Sequence, residues 1–330
     1  MFNYIIYHKG CVDGFSGFFV AYMSGRLSND VFIYADVPSA KNIPPNVQGK
    51  DIIIIDVAYK REVLEEIVEL SKSVVFIDHH VSIAEDVRAI KKANMEKLHI
   101  VYDDQRSGAT LAWMYFNSRQ VAPLFLKYVE DQDVGRWEFE NTKPFSLSLH
   151  SNYHLSTDPK SLQKWFRLLN KDYVLQMVDE GKIMQKYLIH LININLPRHS
   201  VHMFPSKKIY HDIKKTETGD VHLFKKPAQY KIALFSGHCP STTDLAVEAL
   251  ERIECDFVMM WSYNLDKGEY VISMRSREVD ISAIAKAFGG GGHKLAAAFS
   301  FPKRRYEIDD LFEGDALPRL LKPAEGVADS

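Results

Sequence analysis

Seven consecutive residues, Val74-Val75-Phe76-Ile77-Asp78-His79-His80, raise the question of chemistry first. An apolar, β-branched run of this length reads as a strand buried on both faces. It breaks into one carboxylate and two imidazoles, at the carboxyl end where open α/β sheets keep their ligands. Histidine and aspartate together suit a divalent transition metal. The competing reading is a capping Asp and two surface histidines.

Other segments repeat the pattern. Residues 3–7 are apolar and aromatic and end at His8, and residues 52–55, all isoleucine, end at Asp56. The stretches between them include Val63, Leu64, Ile67, Val68 and Leu70 at helical spacing. Connections of that kind predict parallel strands with right-handed crossovers. Ligand-type side chains then gather along one edge of the sheet. One strand ending in Asp is common by chance, whereas three ending in ligand types are much less so.

The first strand leads into Lys9-Gly10-Cys11-Val12-Asp13-Gly14-Phe15-Ser16-Gly17 and then a helix. Neither G-x-G-x-x-G nor G-x-x-x-x-G-K occurs there, so the turn offers ligands rather than a phosphate cradle. Asp13 is one such ligand, or else a helix cap. Ser107 precedes a helix over residues 111–116; it either caps that helix or leaves the helix N-terminus to face an anion. Glu130-Asp131-Gln132-Asp133 follows an apolar segment, and Glu130 and Asp133 read as a solvated acidic turn.

Residues 144–195 carry helical periodicity and bridge two units. Residues 196–228 are polar, with Pro and Gly punctuation, as in a linker that runs into a second domain. A strand over 230–235, a helix over 243–253 and a hairpin over 257–263 and 269–275 follow. A helix over 281–288 ends in Gly289-Gly290-Gly291-Gly292-His293. Bare backbone N–H groups in such a run can approach a ligand closely, and His293 can donate to a phosphate oxygen. A small-residue helix is expected over 295–299, and a charged, partly disordered tail after it.

Composition narrows the classes. The chain has 330 residues, enough for two domains, with 46% hydrophobic and 25% charged residues. A net charge of −2 provides no general basic field for long duplex DNA. Three cysteines, Cys11, Cys239 and Cys255, are too few and too odd for a disulfide scaffold, which suits a reducing compartment. Neither a signal peptide nor a membrane span is expected, so the predicted location is cytoplasmic.

The chain resembles DHH-family phosphoesterases that carry the DHH-associated C-terminal domain. The resemblance rests on His8-Lys9-Gly10-Cys11-Val12-Asp13-Gly14-Phe15, the Asp56 strand, Asp78-His79-His80, Ser107-Gly108-Ala109-Thr110 and Asp131-Gln132-Asp133. It continues in Ser273-Met274-Arg275-Ser276 and the four-glycine-His element. It implies an α/β protein: an N-terminal parallel-sheet catalytic domain with helical connector (residues 1–190), a linker and start of the second domain (191–228), a smaller substrate-binding domain with a mixed sheet (229–310) and a tail (311–330). The active site would lie in the interdomain cleft. Two divalent metals are implied, manganese foremost, with magnesium or another ion as alternatives. His8 and Asp56 would hold one; Asp13, Asp56, His79 and Asp131 the other. Asp78 would orient a ligand from behind, and His80 would face the scissile phosphate. Arg275, Ser276, Gly290, Gly291, Gly292, His293 and Ser107 would bind substrate.

Two positions depart from the family. Cys11-Val12-Asp13 stands where many relatives have Asp-x-Asp, so Cys11 either ligates as a soft thiolate, leaves the first metal loosely held, or only packs. Ala298 stands where relatives often have Gly. The expected activity is hydrolysis, by metal-activated water, of phosphodiesters or phosphomonoesters in short oligoribonucleotides or bisphosphonucleosides. Polyphosphate or pyrophosphate hydrolysis is one alternative, and a nucleotide-binding regulatory protein with impaired metal chemistry is another. Phe15 and Trp137 are candidates to stack on a base, although both read first as core residues. Expected partners are a short nucleic acid or nucleotide and no membrane, with a homodimer left open.

Overall fold

The computed structural model describes residues 1–318, apart from 39, 94–95, 119, 217–228 and 238–240. Two compact units divide the chain, Met1–Gln185 and Lys186–Ser330.

The first unit is built on a parallel sheet. Its strands are β1 (Phe2–His8), β2 (Leu27–Asp36), β3 (Asp51–Ile55), β4 (Ser73–Asp78) and β5 (Leu98–Tyr102), in the order β2-β1-β3-β4-β5. Every pairing in it is parallel. The helices are α1 (Val12–Met23), α2 (Arg61–Leu70), α3 (Ala84–Ala93), α4 (Gly108–Phe116), α5 (Leu124–Asp133), α6 (Thr142–Asn152), α7 (Pro159–Trp165) and α8 (Lys171–Asn195). The unit boundary falls inside α8.

The apolar runs have a physical reason. Ile5, Ile53, Ile55, Val75 and Ile77 pack into one hydrophobic layer, while Tyr4, Ile6, Ile52, Ile54, Val74 and Phe76 pack into another. Alternate residues of the same strands serve the two layers, so neither face tolerates polar positions. Strand order reverses between β1 and β3, which makes their carboxyl ends the switch point where such sheets bind ligands.

The second unit holds β6 (Ser200–Phe204), α9 (Lys207–Thr216), β7 (Tyr230–Ser236), α10 (Thr242–Arg252), β8 (Phe257–Asn264), β9 (Glu269–Ser276), α11 (Ile281–Ala287), β10 (Gly291–His293), β11 (Ala296–Pro302) and β12 (Glu313–Leu317). Its seven strands run β10-β11-β9-β8-β7-β6-β12. Only β7 and β8 pair in parallel, so the sheet is mixed as expected.

Two expectations need correction. The small-residue helix after the glycines is strand β11. Its burial alternates, with Ala297, Phe299 and Phe301 in the core, and it pairs antiparallel with β9. Period-two packing overrides the helical propensity of three alanines. Within the segment expected to be linker and start of the second domain, β6 pairs with β7; residues 217–228 lie outside the described residues. Part of the presumed tail is β12, which pairs with β6; residues 319–330 again lie outside the described residues, as does Cys239.

Candidate metal centre

The carboxyl ends of β1, β3 and β4 deliver His8, Asp56 and Asp78-His79-His80. Asp56 follows β3 in the left-handed region, with φ 66°, and Ala58 follows with φ 54°. For residues other than glycine this backbone costs on the order of 1–3 kcal/mol each and must be held by its surroundings. The Asp56 N–H donates to the Ile77 carbonyl at 2.9 Å, and the Ala58 N–H donates to Asp78 Oδ2 at 2.7 Å. The strain turns the Asp56 carboxylate toward the histidines.

Asp56 is the hub. Its Oδ2 lies 3.1 Å from His8 Nδ1, and its Oδ1 lies 3.1 Å from His79 Nε2 and 3.6 Å from His80 Nδ1. His79 Nε2 in turn lies 3.3 Å from Asp133 Oδ2 and 4.0 Å from Asp13 Oδ2. Two triplets of donors result: His8, Asp56 and His80, and Asp13, His79 and Asp133.

Close backbone approach makes this convergence feasible. A Cβ on Gly14 would stand 2.6 Å from His8 Cβ; one on Gly108 would stand 2.8 Å from Asp56 Cβ and 2.9 Å from Asp13 Oδ2. Glycine at these positions leaves room for the ligands themselves. The start of α4 then donates the Ala109 N–H to Asp13 Oδ1 at 3.0 Å.

The electrostatics follow from crowding. Burial, then the neighbouring charges of Asp56 and Asp133, push the Asp13 carboxyl well above its usual range. Burial also raises Asp133. Burial would raise Asp56 too, but hydrogen bonds from His79 and His8 outweigh it and bring Asp56 down. Burial opposes protonation of His79, yet the Asp56 hydrogen bond and the charges of Asp13, Asp56 and Asp133 lift its pKa to about 9. Asp13 Oδ2 is buried and has no hydrogen-bond partner. An anionic oxygen stripped of water and of donors is costly unless a cation meets it. The donor set of imidazoles and carboxylates fits manganese, magnesium or zinc.

Asp78 is fully buried and satisfied. It accepts from the N–H groups of Ala58, His79 and His80 and from His80 Nδ1 at 2.9 Å. It therefore orients the His80 ring and ties the ends of β3 and β4 together. His80, whose pKa burial alone would lower, is raised by that bond.

Asp131 needs correction. It is buried on α5, where its carboxylate accepts from the N–H groups of Glu138 and Phe139 and from Thr142 Oγ1. Those bonds hold the loop that follows α5. Asp133, read from the sequence as a solvated turn residue, stands beside His79 and Asp13 instead. Val129, Gln132 and Asp133 share one helix face at i, i+3 and i+4 and line one cavity. Asp131 lies about 200° of helical turn from Asp133, so the two cannot serve the same site. Glu130 is no solvated turn residue either; it pairs with Arg106 and Arg136.

For Cys11, Ser107, Phe15 and Trp137 the sequence left two readings open. Cys11 belongs to neither donor triplet; it precedes α1 and lines the cavity beside Asp13, and burial pushes its thiol far up. Ser107 is buried and caps α4: its Oγ accepts the Thr110 N–H and its hydroxyl donates to Thr110 Oγ1 at 3.4 Å. Phe15 is buried in the core against Trp165, whereas Trp137 is exposed.

In the second unit, Arg275 Nη1 donates to the Met274 carbonyl and Nη2 to Thr243 Oγ1. Ser276 is buried and accepts from the N–H groups of Glu278 and Val279, a turn role rather than a binding one. A Cβ on Gly290 would meet the Ala298 carbonyl oxygen at 2.2 Å, and one on Gly292, at φ 140°, would meet the Ala296 carbonyl oxygen at 2.5 Å. Those glycines are required by the hairpin. Gly291 is exposed, has no neighbour within 4 Å of a Cβ and no left-handed φ, so nothing in the unit explains its bareness. His293 is exposed on β10 and pairs with Ala296; Ala298 pairs with Gly291 and Ser273.

With that geometry in place, comparison with known proteins can be set beside it. Residues 235–327 match the DHHA1 domain model. That match covers a C-terminal stretch of the chain, which is similar to a DHHA1 domain. The resemblance to DHH-family phosphoesterases with this C-terminal domain is thereby borne out in the second unit. Uncharacterized protein R106 of Acanthamoeba polyphaga mimivirus is 25% identical over 312 residues, covering 90% of this chain and 67% of the relative. The MG371 homolog of Mycoplasma pneumoniae is 26% identical over 265 residues, covering 78% and 69%. Among solved structures, a pGpG-specific phosphodiesterase from Vibrio cholerae superposes with TM-score 0.48 at 12% identity, covering 91% of this chain and 94% of that one. An exopolyphosphatase-related protein from Bacteroides fragilis superposes with TM-score 0.44 at 15% identity, covering 90% and 86%. No described helix is long and apolar enough to cross a membrane.

Proposed function

We propose that the chain is a divalent-metal-dependent phosphoesterase that hydrolyses short nucleotide substrates. One observation carries the reading: Asp13 Oδ2, buried and without a hydrogen-bond partner, lies in a group with Asp133 and His79 whose donor atoms are close enough to share a cation. His8 and Asp56, with His80 beside them, would hold one ion; Asp13, His79 and Asp133 would hold the other. A bound pair of such ions supplies Lewis acidity and lowers the pKa of water toward about 7.

The residues themselves do the rest. Asp78 accepts a hydrogen bond from His80 Nδ1–H, which fixes the ring, and by raising the His80 pKa against burial it favours the imidazolium, whose Nε2–H can donate to a phosphoryl oxygen. That proton offsets charge building on the phosphoryl group. Because Nδ1 is committed to Asp78, the His8–Asp56 half has fewer free donors than the Asp13–His79–Asp133 half. Cys11 does not act as a nucleophile, since burial and then Asp56 and Asp13 oppose thiolate formation. Exposed Trp137, in the same unit as the donor triplets, offers a face to a base.

The test is hydrolysis of bis(p-nitrophenyl) phosphate and of a 5′-labelled diribonucleotide by the full chain with manganese. Both products should form, and Asp13→Asn and His79→Ala should remove them. No product from either substrate with manganese, magnesium or zinc would end the reading. Competition by pyrophosphate weaker than that by a dinucleotide separates the nucleotide from the polyphosphate substrate class.

A further inference from the structure

Beside the donor triplets lies a cavity of about 240 Å3, walled by Cys11, Val12, Val129, Gln132 and His150 along with Asp13 and Asp133. His150 has no part in either triplet. It sits in the last turn of α6, a helix held in place at both ends. Thr142, at its start, donates to Asp131. Further along, Ser148 donates to Glu180 at 2.7 Å, and the bare Cα of Gly181 lets α8 pack directly on Pro144. The His150 ring is thus carried on a rigid element.

Its tautomer is set locally. Nδ1 lies 2.8 Å from the Ser146 carbonyl oxygen, which can only accept, so Nδ1 carries the proton. In the neutral ring Nε2 is then a lone-pair acceptor, with no protein partner among the described residues. Asp13 and Asp133 are committed to the metal site, and Val12 and Val129 offer apolar contact. The hydrogen-bonding groups left to a ligand are the Nε2 acceptor and the Gln132 amide. A partly apolar group bearing a hydroxyl fits that wall, and in a nucleotide the group adjoining phosphorus is the sugar.

We propose that this cavity seats the substrate's ribose, with His150 Nε2 accepting a hydrogen bond from a sugar hydroxyl. His150 is then a specificity residue that separates ribonucleotides from deoxy and inorganic substrates. The inference rests on the phosphoesterase reading for the neighbouring site.

The test is calorimetric binding of adenosine 5′-phosphate and its 2′,3′-dideoxy counterpart to the manganese-loaded full chain, alongside the diribonucleotide assay. The ribose form should bind about fivefold to tenfold more tightly, the effect of one neutral hydrogen bond. His150→Phe should abolish that preference without changing dideoxy affinity, and His150→Gln, which keeps an acceptor, should restore part of it. Equal affinities in the wild type, an unchanged preference in His150→Phe, or failure of both nucleotides to bind would overturn the proposal. A preserved preference without hydrolysis would sink the phosphoesterase reading and leave the ribose seat standing; hydrolysis without preference would do the reverse.

Discussion

Asp131 and Asp133 stand two residues apart on α5 and serve opposite faces of it. Asp133 Oδ2 lies 3.3 Å from His79 Nε2, while Asp131 accepts from two backbone N–H groups and the Thr142 hydroxyl. On the proposed function the pair divides labour between a ligand and a brace. Asp133→Ala should therefore weaken manganese binding by at least about tenfold and abolish hydrolysis with little change in Tm. Asp131→Ala should do the converse. Losing bonds to a buried carboxylate costs about 1–3 kcal/mol, seen as a lower Tm, with metal affinity largely kept. Calorimetry and thermal melts on both variants distinguish the two roles.

Asp78 accepts four hydrogen bonds, three at Oδ1 and one at Oδ2. Asn in its place turns an amide N–H2 toward one of those donors. Asp78→Asn should lower stability by about 1–3 kcal/mol and reduce kcat more than KM, because the His80 ring loses its anchor. A kcat equal to wild type would remove His80 from the reaction.

The adjacent glycines 290 and 291 should behave differently. Gly290→Ala forces a methyl against the Ala298 carbonyl at 2.2 Å and should cost about 1–3 kcal/mol in thermal or denaturant unfolding. Gly291→Ala meets nothing and should leave the Tm unchanged. If ligand backbone or phosphate approaches Gly291, the same substitution raises KM for the dinucleotide; an unchanged KM places the ligand elsewhere.

Proton and metal compete at His79. In the metal-free protein its pKa is raised from 6.5 to about 9, after burial has been outweighed by the Asp56 hydrogen bond and the charges of Asp13, Asp56 and Asp133. Its contribution to metal-free stability is thus fully present below pH 6.5 and is lost as pH rises through about 9. A metal must displace that proton, and the raised Asp13 carboxyl works in the same direction. Manganese affinity should rise between pH 6.5 and 9 with proton release on binding. Calorimetry in buffers of different ionisation enthalpy reads this directly; an affinity that is flat or falls across that range contradicts it.

Much of the first unit was legible because its strands are buried on both faces. The isoleucines at 52–55 serve two layers at once, which compresses a strand and its two packed surfaces into one unbroken apolar run. The strand ends then carried His8, Asp56, His79 and His80 by position alone. The choice of Asp131 over Asp133 was not legible, because it depends on where α5 ends and which face it buries. Serine types were equally ambiguous: Ser107 and Ser276 both accept backbone N–H groups, the commonest use of a buried hydroxyl near a turn. Strand β11 was hidden by alanine's helical preference, and β12 by a pairing with β6 that no local pattern announces.

The most direct measurement is anomalous diffraction from crystals of the full chain grown with manganese. Two peaks should appear, the stronger among Asp13, His79 and Asp133 and the weaker beside His8 and Asp56. Manganese-saturated crystals with no peak within reach of the Asp13 carboxylate would contradict the account.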